Sequence, residues 1–144
     1  MLVVLQLILA VGLAELMPSA ENPLLGSWQF HRYIYQGQEQ PIPNPNLILQ
    51  YEFRADGLNR LFWSRKNEFG FCDRLASYHY EDQTLQQEVL WVNPENSMEC
   101  SKDVDMQVGT VNWAKMVFVE GRLHLYVPFG GEDFIYVFRR IRTP

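Results

Sequence analysis

Residues 47–66 read LILQYEFRADGLNRLFWSRK, two alternating segments joined at an Asp-Gly turn. Leu47, Leu49, Tyr51 and Phe53 recur at every second position, the period that places side chains on one face of a β-strand. Asp56-Gly57 follows, a dipeptide that tolerates left-handed backbone and closes hairpins. Residues 58–66 return as the partner strand. No helical period is sustained over three turns anywhere after Leu25, so this hairpin is the unit from which the domain is built.

Upstream, residues 25–36 alternate Trp28, Phe30 and Ile34 against Gln29, His31, Tyr33 and Tyr35, which predicts a strand. The run PIPNPN at 41–46 is a loop, since its prolines cannot donate to a ladder. Downstream, a turn at 67–70 leads into a strand at 71–81, and Asp82-Gln83 leads into another at 84–93. The polar, acidic stretch 94–105 is the longest loop. Strand character resumes at 106–113 and 115–119. Glu120-Gly121 turns into a strand at 122–127, and 130–133 turns into a last one at 134–142. About eight or nine short antiparallel strands in consecutive hairpins predict an all-β protein, an up-and-down antiparallel β-barrel whose closure removes exposed edges. A β-sandwich is the alternative. It needs crossovers, and only 94–105 has the length for one.

The chain has 144 residues, enough for one core. With 47% hydrophobic and 20% charged residues it has the apolar content of a folded protein. Nine Phe, seven Tyr and four Trp favour sheet. A net charge of -5 supplies no attraction for nucleic acid or an anionic membrane. Residues 1–14, MLVVLQLILAVGLA, form an apolar run too short to span a bilayer but suited to the core of a signal peptide. Cleavage after Ala14 or Ala20 is expected, although no Lys or Arg precedes the run. The organisation expected is a signal peptide at 1–20 and one domain at 21–144, exported to the periplasm or secreted, with no integral membrane span left after processing. In an oxidising compartment Cys72 and Cys100 are expected to form a disulfide worth roughly 3 kcal/mol by loop closure.

No signature of catalysis or cofactor binding stands out, and an enzyme is not expected. His31, His79 and His124 lie on separate strands without metal-ligand spacing, so no metal site is predicted. Ser64, Ser77 and Ser97 lack a nucleophile elbow. Glu52, Asp73 and Glu88 read as strand carboxylates facing solvent. Gly130-Gly131 opens a strand instead of a helix, unlike a phosphate loop.

Gly26-Ser27-Trp28, opening the first strand after the signal, resembles the GxW signature of lipocalins and related calycins. The last strand, FIYVFRRIR at 134–142, is similar to the closing strand of compact bacterial lipocalin-like domains. No TDY-like second motif is found, and the body is shorter than that of a full-length lipocalin. The resemblance implies that Trp28 plugs one end of a barrel, with an Arg of the last strand packed on its indole. Arg140 is the expected partner, being in phase with Phe134, Tyr136 and Phe138, and Arg139 is the alternative for a one-residue change of register.

A barrel of this kind implies a small apolar or amphipathic ligand inside it. Tyr51, Phe53, Trp63, Tyr78, Trp91 and Tyr126 are the candidate wall. Arg60 and Arg122, with Arg74, are candidate anchors for a carboxylate head group. The same rings could instead fill the interior. The protein would then be a secreted interaction module or inhibitor that meets a protein partner through loop 94–105, tethered by Cys100.

Overall fold

The computed structural model describes residues 21–129 and 132–142. The proposed signal peptide, both its cleavage points and the Gly130-Gly131 turn lie outside the described residues. Among the described residues nine strands form: β1 (Gly26–Tyr35), β2 (Gln38–Pro41), β3 (Leu47–Phe53), β4 (Leu58–Arg65), β5 (Phe71–Glu81), β6 (Thr84–Val92), β7 (Val111–Val119), β8 (Arg122–Phe129) and β9 (Glu132–Arg140). Neighbours in the sheet are antiparallel, in the order β2-β1-β3-β4-β5-β6-β7-β8-β9, and β9 pairs back onto β1. That last ladder closes a barrel of eight strands and leaves β2 outside it. The barrel expected from the sequence forms, and the sandwich does not.

The turns explain why the meander closes. Gln36-Gly37, Asp82-Gln83 and Glu120-Gly121 each put both residues at positive φ. The strands re-pair directly beside them, as in Tyr35 with Gln38, Glu81 with Thr84 and Val119 with Arg122. Loops of this type carry the twist that matches right-handed strands. The Gln36-Gly37 turn creates β2, a strand not expected from the sequence, whose last residue, Pro41, falls in the expected loop 41–46. Pro41 sits at the end of this outer strand, where no donor is needed. A second correction concerns 106–119. The two strands expected there are one, β7, and 106–110 belongs to the connection that precedes it.

Two β-bulges set which residues face inward. Phe30 pairs with Phe138 but Arg32 pairs with Val137, so His31 is an extra residue in β1. Beyond it the parity flips. Tyr33 and Tyr35 then share the interior with Trp28 and Phe30, and their rings meet Phe134. Ile34, grouped with Trp28 and Phe30 by simple alternation, falls on the other side. In β6 a second shift leaves Leu90 unpaired between Val89 and Trp91.

Between β6 and β7 the chain crosses the barrel as a strap. It consists of two 3-10 turns, Met98–Lys102 and Val104–Met106. Cys72 of β5 is bonded to Cys100 of the strap, and both are buried. Met106 is buried in the core beside them. No helix among the described residues is long and apolar enough to cross a membrane.

Candidate ligand-binding site

One end of the barrel is closed by side chains. Trp28 is 1% exposed and its Nε1 donates to the Leu24 carbonyl at 2.8 Å. The Arg140 guanidinium lies 4.2 Å from the Trp28 ring centroid and donates to the carbonyls of Leu25 at 2.5 Å and Pro23 at 3.3 Å. Gly26 makes this approach possible. Its φ is +113°, and a Cβ there would stand 2.7 Å from Arg140 Nη1. Phe53 and Tyr78 complete this end. Phe53 is stacked on Tyr51, and the Tyr78 hydroxyl donates to the Arg54 carbonyl and accepts from Asn22 Nδ2.

Toward the other end lies a cavity of about 360 Å³, within the usual range for small-molecule sites. β3 and β4 supply Leu47, Leu49, Tyr51, Leu61, Trp63 and Arg65 on one side, and β8 and β9 supply Leu125, Val127, Tyr136 and Phe138 on the other. The strap adds Asp103 and Asp105. Tyr51, Leu61 and Phe138 are buried at its base, whereas Leu47, Arg65, Val127 and Asp103 are partly exposed at its rim. A hollow of about 400 Å³ lies outside the closed end, lined by turn residues such as Ala55, Gly57, Glu81 and Asp82. Its exposed walls offer a ligand less burial, so the interior cavity is the candidate site.

Beneath Tyr51 sits a polar network. Arg74 is fully buried, 5.8 Å from the Tyr51 ring centroid. It donates to Asn59 Oδ1, to Gln87 Oε1 at 3.2 Å and to the Asp105 carbonyl at 3.2 Å. Asn59 Nδ2 also donates to Gln87, at 3.0 Å. A guanidinium buried among neutral acceptors is tolerated because each of its nitrogens donates a hydrogen bond. Burial raises the Tyr51 hydroxyl above its ordinary pKa, and Tyr136 likewise. Tyr136 has no hydrogen-bond partner among the described residues, which leaves its hydroxyl available inside the cavity.

Burial also pushes Asp105 above the ordinary carboxylate range, and the neighbouring Asp103 adds to this while Arg74 opposes it. Asn112 Nδ2 donates to Asp105 Oδ1 at 2.8 Å, and Asn112 Oδ1 is buried without a partner. The folded state therefore holds the Asp105 proton more tightly than the unfolded chain does. The stability this provides is complete below the ordinary value of 3.8. It is lost as pH rises through the elevated folded value. Asp105→Asn stays neutral throughout and its amide can also donate to Asn112 Oδ1. It is expected to raise the melting temperature at neutral pH, with the gain shrinking toward pH ~4. A lower melting temperature at neutral pH would show that the carboxylate stabilises Arg74 by more than its own desolvation costs.

Of the residues read from the sequence as a ligand wall, Tyr51 and Trp63 line the cavity. Phe53 and Tyr78 face inward but belong to the closed end. Trp91 does not face inward: the bulge at Leu90 turns it outward opposite Leu75, and it is 42% exposed. Tyr126 alternates with Leu125 and Val127, so it too lies outside, beneath Lys115. The Arg anchors are also displaced. Arg60 forms a two-point pair with Asp73 on the outer face, at 2.7 and 3.0 Å, and Arg122 pairs with Glu39 at 3.0 Å. Alternation alone could not find this, because both faces of these strands carry apolar or aromatic residues. The aliphatic wall, Tyr136 and Arg65 follow from the register, and the two strap aspartates have no period to reveal them. The histidines do not converge. His79 is exposed beside Glu81, His124 lies opposite Val137, and His31 sits at the β1 bulge. No group of His, Cys, Asp or Glu able to hold a metal ion is found among the described residues.

No protein-family model and no curated protein matches the sequence. Among solved structures the fold is similar to a lipocalin-like protein from Bacteroides uniformis, with a TM-score of 0.54 and 18% identity over 83% of this chain and 100% of that one. Together with the closed barrel, this likeness establishes a lipocalin-like fold.

Proposed function

We propose that this protein binds a small hydrophobic or amphipathic molecule inside its barrel. The observation that carries this reading is the interior cavity of about 360 Å³, with Tyr51, Leu61 and Phe138 buried at its base and walls of leucines and aromatic rings. Such walls remove ligand surface from water at roughly 25 cal/mol per Å². The Tyr136 hydroxyl provides orientation without a competing protein partner. The barrel fold and the absence of a catalytic constellation in the sequence support a carrier over an enzyme.

The test is titration with a neutral hydrophobic fluorophore. Saturable one-to-one uptake is expected, weakened several-fold in Leu49→Trp, which places an indole in the cavity, while thermal melts show that the variant is folded. Absence of saturable uptake by the native chain would sink the reading. Export to the periplasm or exterior belongs to the same proposal. It is supported by the apolar run at 1–14 and is compatible with the Cys72–Cys100 bond. Mass analysis of the mature chain should show removal of the first 14 or 20 residues.

A second reading, docking on a protein partner, is supported by the exposed indoles Trp113 and Trp91, 64% and 42% accessible on the outer faces of β7 and β6. Loop 94–105 divides between the two readings, since Cys100 is buried and Asp103 and Asp105 line the cavity while Met98 and Val104 are exposed. Alanine at both indoles separates the two readings, because fluorophore uptake would be unaffected.

A further inference from the structure

We propose that the cavity selects lipophilic amines over fatty acids of the same length, with Asp103 receiving the ammonium group. The inference rests on the ligand-binding reading above and adds the charge of the ligand. Its starting point is which charged groups at the cavity already have counter-ions. Arg65, at the rim, lies 3.0 Å from Glu68 Oε2 and over the Trp63 ring at 5.3 Å. Its charge is thus matched by a carboxylate. Arg74 is fully buried beneath Tyr51, and each of its three guanidinium nitrogens already donates, to Asn59, Gln87 or the Asp105 carbonyl.

The two strap aspartates differ. Neither has a Lys, Arg or His nitrogen within 4.0 Å among the described residues. Asp103 accepts only the backbone N–H of Asp105, at 3.0 Å, and Asp105 accepts only the Asn112 amide. Arg74 offsets one of these charges from below, and one unit of negative charge remains facing an apolar cavity. There the low dielectric strengthens attraction for a cation and repulsion of an anion. Asp103 is the better placed of the pair, being at the rim, where an ammonium keeps part of its hydration while its chain is buried. The Tyr136 hydroxyl and the leucines below it accept an alkyl or aryl chain and impose no charge. Arg60 and Arg122, the carboxylate anchors expected from the sequence, pair instead with Asp73 and Glu39 on the outer surface, away from the cavity.

The experiment is displacement of the neutral fluorophore at pH ~7.5 by decylamine, decan-1-ol and decanoate, each below its aggregation concentration. Decylamine is expected to displace at a concentration about tenfold below that of decanoate, with decanol between them. Asp103→Asn keeps the acceptor for the Asp105 N–H, so it should fold normally and narrow the preference for decylamine over decanoate, each compared with decanol in the same variant. Glu68→Gln, exposed beside Arg65 and outside the cavity lining, frees Arg65 and should shift the preference toward decanoate. Decanoate binding as tightly as decylamine in the native chain, or an amine preference unaltered by Asp103→Asn, overturns the charge selection alone. Failure of the fluorophore and of decanol to bind overturns the ligand-binding reading and this inference with it.

Discussion

Trp28→Ala is expected to destabilise the protein by roughly 3–5 kcal/mol, the range for truncating a large aromatic residue in a core. Trp28 joins the segment before β1 to β7 and β9 at the closed end. Its ring centroid is 5.8 Å from that of Phe118, its Nε1 is bonded to Leu24, and Arg140 covers its other side. Removing the indole leaves a large void and orphans the Leu24 carbonyl, which is costly in a buried position. It also strips Arg140 of the ring it packs on, loosening the hold on the carbonyls of Pro23 and Leu25. Denaturant titration measures the loss. A value below about 1 kcal/mol would show that the end is closed by Phe53, Leu24 and Phe138 without Trp28.

Reduction of Cys72–Cys100 is the second large effect, roughly 3 kcal/mol for a bond joining residues 28 apart. For a domain of this size that corresponds to a fall in melting temperature on the order of 10 °C. The reduced protein should still fold. The strap keeps Ser97 N–H on the Phe71 carbonyl at 3.0 Å, Asn96 bonded in both directions to the Asp73 backbone at 2.8 and 3.0 Å, and Met106 in the core. Because Asp103 and Asp105 hang from the strap, reduction should also weaken ligand uptake by more than it changes the folded fraction. Calorimetry with and without reductant, followed by fluorophore titration of the reduced form, checks both parts. An unchanged melt would mean that the bond contributes nothing beyond the contacts around it.

Most of the architecture was legible in the chain because local patterns specify it. Alternation in 47–53 and the Asp56-Gly57, Asp82-Gln83 and Glu120-Gly121 turns each act within a few residues. Every ladder after β3 follows from joining neighbours. The Gln36-Gly37 hairpin escaped notice because Gln at a left-handed position is not a turn signal. Its short outer strand then merged into the proline-rich connection. The cavity was less legible. A bulge adds one residue and inverts every later side chain on its strand, as Tyr33, Tyr35 and Trp91 show, and nothing local at His31 or Leu90 announces it. Arg74 was grouped with Arg60 and Arg122 as an anchor, but strand parity buries it and leaves the other two in solvent.

The sequence by itself determined a meander of hairpins and its single disulfide, since these depend on residue type at short spacing and on a reactive pair with no competitor, while the closure by Trp28 was what the lipocalin resemblance implied. Only the tertiary structure decided that the interior stays partly open, that the acidic strap lines it, and that Arg65 and Arg74 are already engaged. Those outcomes depend on cross-barrel distances between residues far apart in the chain. There, packing volume and charge pairing in a shared low-dielectric space choose among arrangements that local pattern leaves equal.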